Sequence, residues 1–98
     1  GYGAWKGGPM TEPKNMRVTF TCGGESVTRT AEGKNPHRTT LSVFAALSEE
    51  ERDVLDLEDG AEVEVEVAYE VTVRKAATFT VAMTPTLVAA GGFRAVKG

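Results

Sequence analysis

The sequence predicts a mainly β chain: a small single-domain β-barrel or sandwich with one short helix and extended N- and C-terminal arms. Three observations carry that expectation. Residues 61–84 read AEVEVEVAYEVTVRKAATFTVAMT, with Val63, Val65, Val67, Tyr69, Val71 and Val73 alternating against Glu62, Glu64, Glu66, Ala68, Glu70 and Thr72. A strand turns successive side chains to opposite faces, whereas a helix would scatter those valines around its axis. Two further β-rich runs flank Gly23-Gly24, and glycines with prolines interrupt both ends of the chain. At 98 residues there is room for one domain with a thin core. It divides into an N-terminal arm over 1–15, a β domain over 16–90 and a C-terminal arm over 91–98.

In the arm, GYGAWKGGPMTEPKN, four glycines and two prolines break any periodicity. Tyr2 and Trp5 stand in it as candidate anchors, because an aromatic buries a large area at little rotamer cost. Residues 16–22, MRVTFTC, set Val18 and Phe20 against Arg17, Thr19 and Thr21; ESVTRTA follows the two glycines. A two-residue glycine turn between strands predicts a hairpin, with Phe20 opposite Val27. Residues 32–36, EGKNP, are a polar loop of turn formers. Residues 38–46 are a third strand candidate through Thr39, Leu41 and Val43, although FAAL is also compatible with the start of a helix.

Ser48 followed by Glu49, Glu50 and Glu51 is a capping-box pattern, with three acids placed to suit the helix dipole. The helix should end near Asp56, and Gly60 should turn the chain into the long strand. Within 61–84 the apolar side resumes at Phe79, Val81 and Met83 after Arg74-Lys75-Ala76-Ala77. That break predicts a tight turn between two long strands, or a bend in one. A last short strand is expected over 86–90, followed by a Gly-Gly break and a second arm carrying Phe93, Arg94, Val96 and Lys97. The expected deep core is Val18, Phe20, Val27, Leu41, Val43, Leu55, Leu57, Val63, Val65, Val67, Val71, Phe79 and Val81.

The net charge of −3 hides an uneven layout. Residues 49–70 hold eleven acids and one base; the rest of the chain holds three acids and ten bases. A subunit split in this way can associate head to tail by charge complementarity. Cys22 is the single cysteine, so no internal disulfide forms and a reducing compartment fits. No apolar run approaches the length of a membrane span. With one His and one Cys, an ordinary zinc ligand set is not available within one chain. His37 reads as a loop histidine and Cys22 as a packed thiol. The carboxylates alternate along one strand face with nothing isolating any of them in an apolar pocket. Calcium binding by Glu62, Glu64 and Glu66 lacks the Asp-rich loop with a central glycine, and no phosphate loop is present. No catalytic residue, metal or cofactor is expected, and the chain reads as a non-enzyme. Arg17, Arg29, Lys34, His37 and Arg38 could together form a modest basic patch for nucleic acid.

The stretch Ser48 to Val67, with its pattern LxLxxGxxVxVxV, resembles the helix-to-strand half of the AbrB-type swapped-hairpin domain. The resemblance implies a dimer that binds DNA through basic arms. Residues 43–47, VFAAL, lack the proline usual at that family's strand-to-helix junction.

The first functional expectation is a non-enzymatic structural subunit, such as a phage or virus capsid decoration or tail protein, in the virion or the cytoplasm. Its partners would be copies of itself or a larger assembly, with homo-oligomers expected and no membrane. The arms would make contact through Tyr2, Trp5, Phe93 and Arg94, with Glu62, Glu64 and Glu66 as an acidic interaction face. The alternatives are the AbrB-like DNA-binding regulator, and a small adaptor or inhibitor that caps one protein partner.

Overall fold

The computed structural model describes residues 13–70, 73–82 and 86–96. In chain order they form β1 (Lys14–Cys22), β2 (Glu25–Gly33), α1 (Pro36–Ala45), α2 (Glu49–Leu55), β3 (Glu62–Tyr69), β4 (Val73–Val81), β5 (Leu87–Ala89) and β6 (Arg94–Ala95). The strands make one antiparallel sheet in the order β2-β1-β3-β4-β5, with β6 pairing a second stretch of β4. The sheet stays open. The expected barrel or sandwich is therefore corrected: two helices, not a second sheet, close the hydrophobic layer.

The first hairpin forms as its sequence dictates. Gly23 and Gly24 both take positive φ, 60° and 87°, which a side chain would oppose. They set Phe20 opposite Val27 in a nine-pair register with no bulge. The expected strand over 38–46 is instead α1. Asn35 caps it, its side chain accepting from the Arg38 N–H at 3.0 Å, and Pro36 occupies the first turn. The inward residues Thr40, Val43, Phe44 and Leu47 recur at helical spacing. The alternation of Thr39, Leu41 and Val43 was incidental.

Helix α2 has its full capping box. The Ser48 Oγ accepts from the Glu51 N–H at 3.1 Å, and Glu51 Oε1 accepts from the Ser48 N–H at 2.8 Å. Asp56 ends it in the left-handed region. Gly60, at φ 88°, then lays the chain beside β4, donating its N–H to the Val81 carbonyl at 2.7 Å.

The turn expected at residues 74–77 lies earlier. Tyr69 pairs with Val73, and Glu70 adopts φ 67°. Residues 74–77 belong to β4, where Arg74 faces Ala68 and Ala77 faces Val65. The physical reason is one of parity. Because 69 and 73 pair, odd-numbered residues point inward on both strands, so the period-two pattern runs unbroken through the turn.

The core lies between the inner sheet face and the helices. Met16, Val18, Phe20, Val63, Val65, Val67 and Phe79 have no exposure; Phe44, Leu47, Leu55, Tyr69, Ala77 and Leu87 are also buried. Phe20 and Phe44 meet at 5.6 Å between ring centroids. Val27, Leu41 and Leu57, expected deep inside, pack only at the rim; Val71 lies outside the described residues. Val27 is on an edge strand, Leu41 on α1 and Leu57 in the loop after α2, and each is only partly buried against the core. Among the described residues no helix is long and apolar enough to cross a membrane.

Candidate interaction surface

The helices cover one face of the sheet, and no described element covers the other. Its side chains follow from the strand registers. One row across it reads Thr28, Thr19, Glu66, Ala76, Arg94; the next reads Thr30, Arg17, Ala68, Arg74. Toward the Gly60 end come Ser26, Thr21, Glu64, Thr78 and then Glu62 with Thr80. The acids thus occupy the middle strand at one end. The arginines flank Ala68 on both sides at the other, roughly 13 Å from Glu64 at about 6.8 Å per two residues.

Several of these groups hold one another. Glu66 accepts from Arg74 across 3.3 Å, and Glu64 accepts from the Thr78 hydroxyl at 2.9 Å. Hydroxyl pairs Thr19–Thr28 and Thr21–Ser26 stand at 3.0 and 2.9 Å. Such exposed contacts contribute little stability each. Their effect is to fix the positions of the charges. Val88, 54% exposed, is the large apolar side chain at the β5 margin.

The expected acidic face is therefore one surface, and Arg94 joins it. Arg94 lies opposite Ala76, with its guanidinium donating to the Ala76 carbonyl at 3.4 Å. Phe93 points elsewhere: its half-buried ring packs against Phe79 at 6.0 Å, so the anchor expected for a partner is engaged with the chain's own core. Tyr2 and Trp5 lie outside the described residues.

Of the basic patch expected from Arg17, Arg29, Lys34, His37 and Arg38, Lys34 and Arg38 line one depression together, while Arg17 and Arg29 fall on opposite faces of the sheet. Arg17 is on the open face. Arg29 points to the helix face, where its Nε and Nη2 donate to the two Glu51 carboxylate oxygens at 3.0 and 3.1 Å, and Nη2 reaches the Ala46 carbonyl at 3.3 Å. This fork holds the Glu51 carboxyl below its ordinary range, with the Ser48 N–H adding to the effect, and raises Arg29. His37 and Arg38 sit at the start of α1, and the His37 ring stacks on Phe79 at 5.7 Å. Strand β3, the strand of the AbrB resemblance, pairs on both sides within this chain, with β1 and β4.

Two other places hold reactive or charged side chains. Cys22 is buried, and that burial pushes its thiol up, the Asp56 and Glu58 charges adding to the shift. A shallow depression between α2 and the end of β4 is lined by Arg52, Asp53, Asp56, Asp59 and Val81. Among the described residues no three His, Cys, Asp or Glu side chains are grouped to hold a metal ion. Two features escaped the sequence reading. Arg29 as the partner of Glu51 required knowing that α2 crosses β2. The Arg17–Ala68–Arg74 row required the pairing order of three strands.

Family models, curated proteins and solved structures give no match to this chain.

Proposed function

We propose that the chain is a non-enzymatic structural subunit that binds neighbouring copies or a larger protein assembly, as a capsid decoration or tail protein does in a virion. The supporting observation is the open sheet face. It is wide and separates Glu62 and Glu64 from Arg17, Arg74 and Arg94. A surface of that kind fits a protein of complementary charge, because its potential steers and orients the encounter. Tyr2 and Trp5, in the Gly-rich stretch that precedes the domain in sequence, would supply large apolar anchors to such a contact.

Sedimentation of the full chain at low and moderate salt tests this. Species larger than the monomer are expected, weakened by salt and by charge reversal at Glu62 and Glu64. Deleting residues 1–9 should remove the larger assembly while the domain still melts cooperatively. Assembly beyond a dimer that is indifferent to both the deletion and the charge reversal would refute the reading. Duplex DNA binding that falls steeply with salt and with Arg17→Ala would replace it by the regulator reading.

A further inference from the structure

The two edges of the sheet are treated differently. On the β4 side every stretch of backbone is covered by a short segment. The Arg74 carbonyl accepts from Val96, the Thr78 carbonyl accepts from Ala90, and the Ala82 N–H donates to Thr86, all at 2.8–2.9 Å. The strands that do this, β5 and β6, have three and two residues. Very short edge strands are a usual protection against unwanted pairing.

Among the described residues the β2 edge has no such cover. It is nine residues long, pairs one-to-one with β1 throughout, and contains no proline or bulge; its charges are Glu25, Glu32 and Arg29, the last held inward by Glu51. In a two-residue hairpin the closing pair exchanges both hydrogen bonds, so Cys22–Glu25, Phe20–Val27, Val18–Arg29 and Met16–Ala31 are the bonded pairs. The close hydroxyl contacts Thr19–Thr28 and Thr21–Ser26 agree, because side chains approach most in the intervening pairs. The N–H and C=O groups of Ser26, Thr28, Thr30 and Glu32 then point away from the sheet. Among the described residues none of them has a backbone partner.

We propose that this edge pairs with the β2 edge of a second copy, antiparallel and two-fold symmetric about Thr28, to make one continuous sheet across a dimer. The strand's own sequence fits that occupant and that register. Only registers that set even-numbered residues opposite even-numbered residues satisfy the free groups. Centring on Arg29 would place two arginines directly opposite each other. Centring on Thr28 sets Thr28 against Thr28, Ser26 against Thr30 and Val27 against Arg29, with Glu25 diagonal to the Arg29 of the other copy. No like charges meet directly, and the hydroxyl rows of the open face continue across the axis. Val27, half-exposed at this edge, gains the aliphatic stem of Arg29 to pack on. A two-fold contact of this type closes on itself, so it stops at a dimer. The proposal adds to the self-assembly reading, on which it rests, a second contact that is separate from the open face and the arm.

The test uses the full-length chain, its mass followed over a concentration series. The unmodified chain is expected at twice the 10.4 kDa mass or multiples of it. Thr28→Pro removes an N–H that faces away from β1, so the fold tolerates it. It deletes two symmetric hydrogen bonds and should weaken self-association at least roughly 30-fold. Thr28→Lys, which sets two ammonium groups opposite each other, should do the same, with an unchanged circular dichroism spectrum. Thr28→Cys should oxidise to a covalent dimer, since bonded antiparallel pairs stand about 5.5 Å apart between Cα atoms, within disulfide reach. The unmodified chain, with only buried Cys22, should not. Oligomers that survive Thr28→Lys, or an absence of crosslinking in Thr28→Cys, overturn the β2 interface and leave self-assembly through another surface standing. A full chain that stays monomeric at every concentration overturns both.

Discussion

Gly33 marks the closest approach between sheet and helix, and replacing it tests how the two are joined. It pairs with Lys14 at the end of β2, two residues before the Asn35 cap. A Cβ built there falls 3.1 Å from Thr39 Cβ and 3.3 Å from Cγ2, and closer still to Thr39 Oγ1. Carbon atoms prefer roughly 3.5–4.0 Å. Thr39 is buried, and its branched side chain has few rotamers in a helix, so rotation exchanges one clash for another. The Gly33 backbone does not use a left-handed conformation, so the penalty is one of space alone. Overpacking costs about 1–3 kcal/mol. The alanine also restricts the unfolded chain, which returns about 0.4–1 kcal/mol. The net expectation for Gly33→Ala is a loss of about 1–2 kcal/mol, or a Tm lower by roughly 5–15 °C in a domain of this size. Urea and thermal melts of Gly33→Ala, Thr39→Ala and the double variant measure it. Thr39→Ala vacates the space, so the double variant should be more stable than the sum of the single effects by about 1–2 kcal/mol. A neutral Gly33→Ala, or an additive cycle, would show that α1 does not sit against β2 at this point.

Three further outcomes follow from the same geometry. The Thr40 hydroxyl is fully buried without a hydrogen-bond partner, so Thr40→Val should raise stability by about 1 kcal/mol in a urea melt. Glu51 is held below its ordinary carboxyl value of 4.5 by Arg29 and the Ser48 N–H. A depressed carboxylate stabilises the fold above its unfolded value, and that contribution is lost as the pH falls through the folded value. Thermal melts of the unmodified chain should therefore decline below pH 4.5, and Glu51→Gln should flatten part of that decline; an identical slope in both would refute the Arg29–Glu51 assignment. Cys22, buried and with a raised pKa, should react with a maleimide at pH 8 roughly a hundredfold more slowly in the folded chain than in urea.

Local chemistry written into a few consecutive residues determined much of this protein. Gly23-Gly24 specified a two-residue turn, and with it every pair from Lys14–Gly33 to Cys22–Glu25. Ser48 and Glu51 specified the start of α2, and the Glu-Val alternation specified β3 and its inward face. These signals are legible because turn, cap and pleat each depend on neighbours close in sequence. What required distant contacts was not legible. Alternation is blind to a turn that preserves parity, so the one at Glu70 could not be seen. The Thr-Leu-Val alternation of residues 39–43 matched a strand until Asn35, Pro36 and the packing of Phe44 on Phe20 made it a helix. The interaction surface divides in the same way. Glu62, Glu64 and Glu66 share a face by strand period alone. The placing of Arg17, Arg74 and Arg94 beside them, and the removal of Arg29 to Glu51, depended on strand order and helix position. Those are set by which apolar faces bury each other, and that is a property of the whole chain at once.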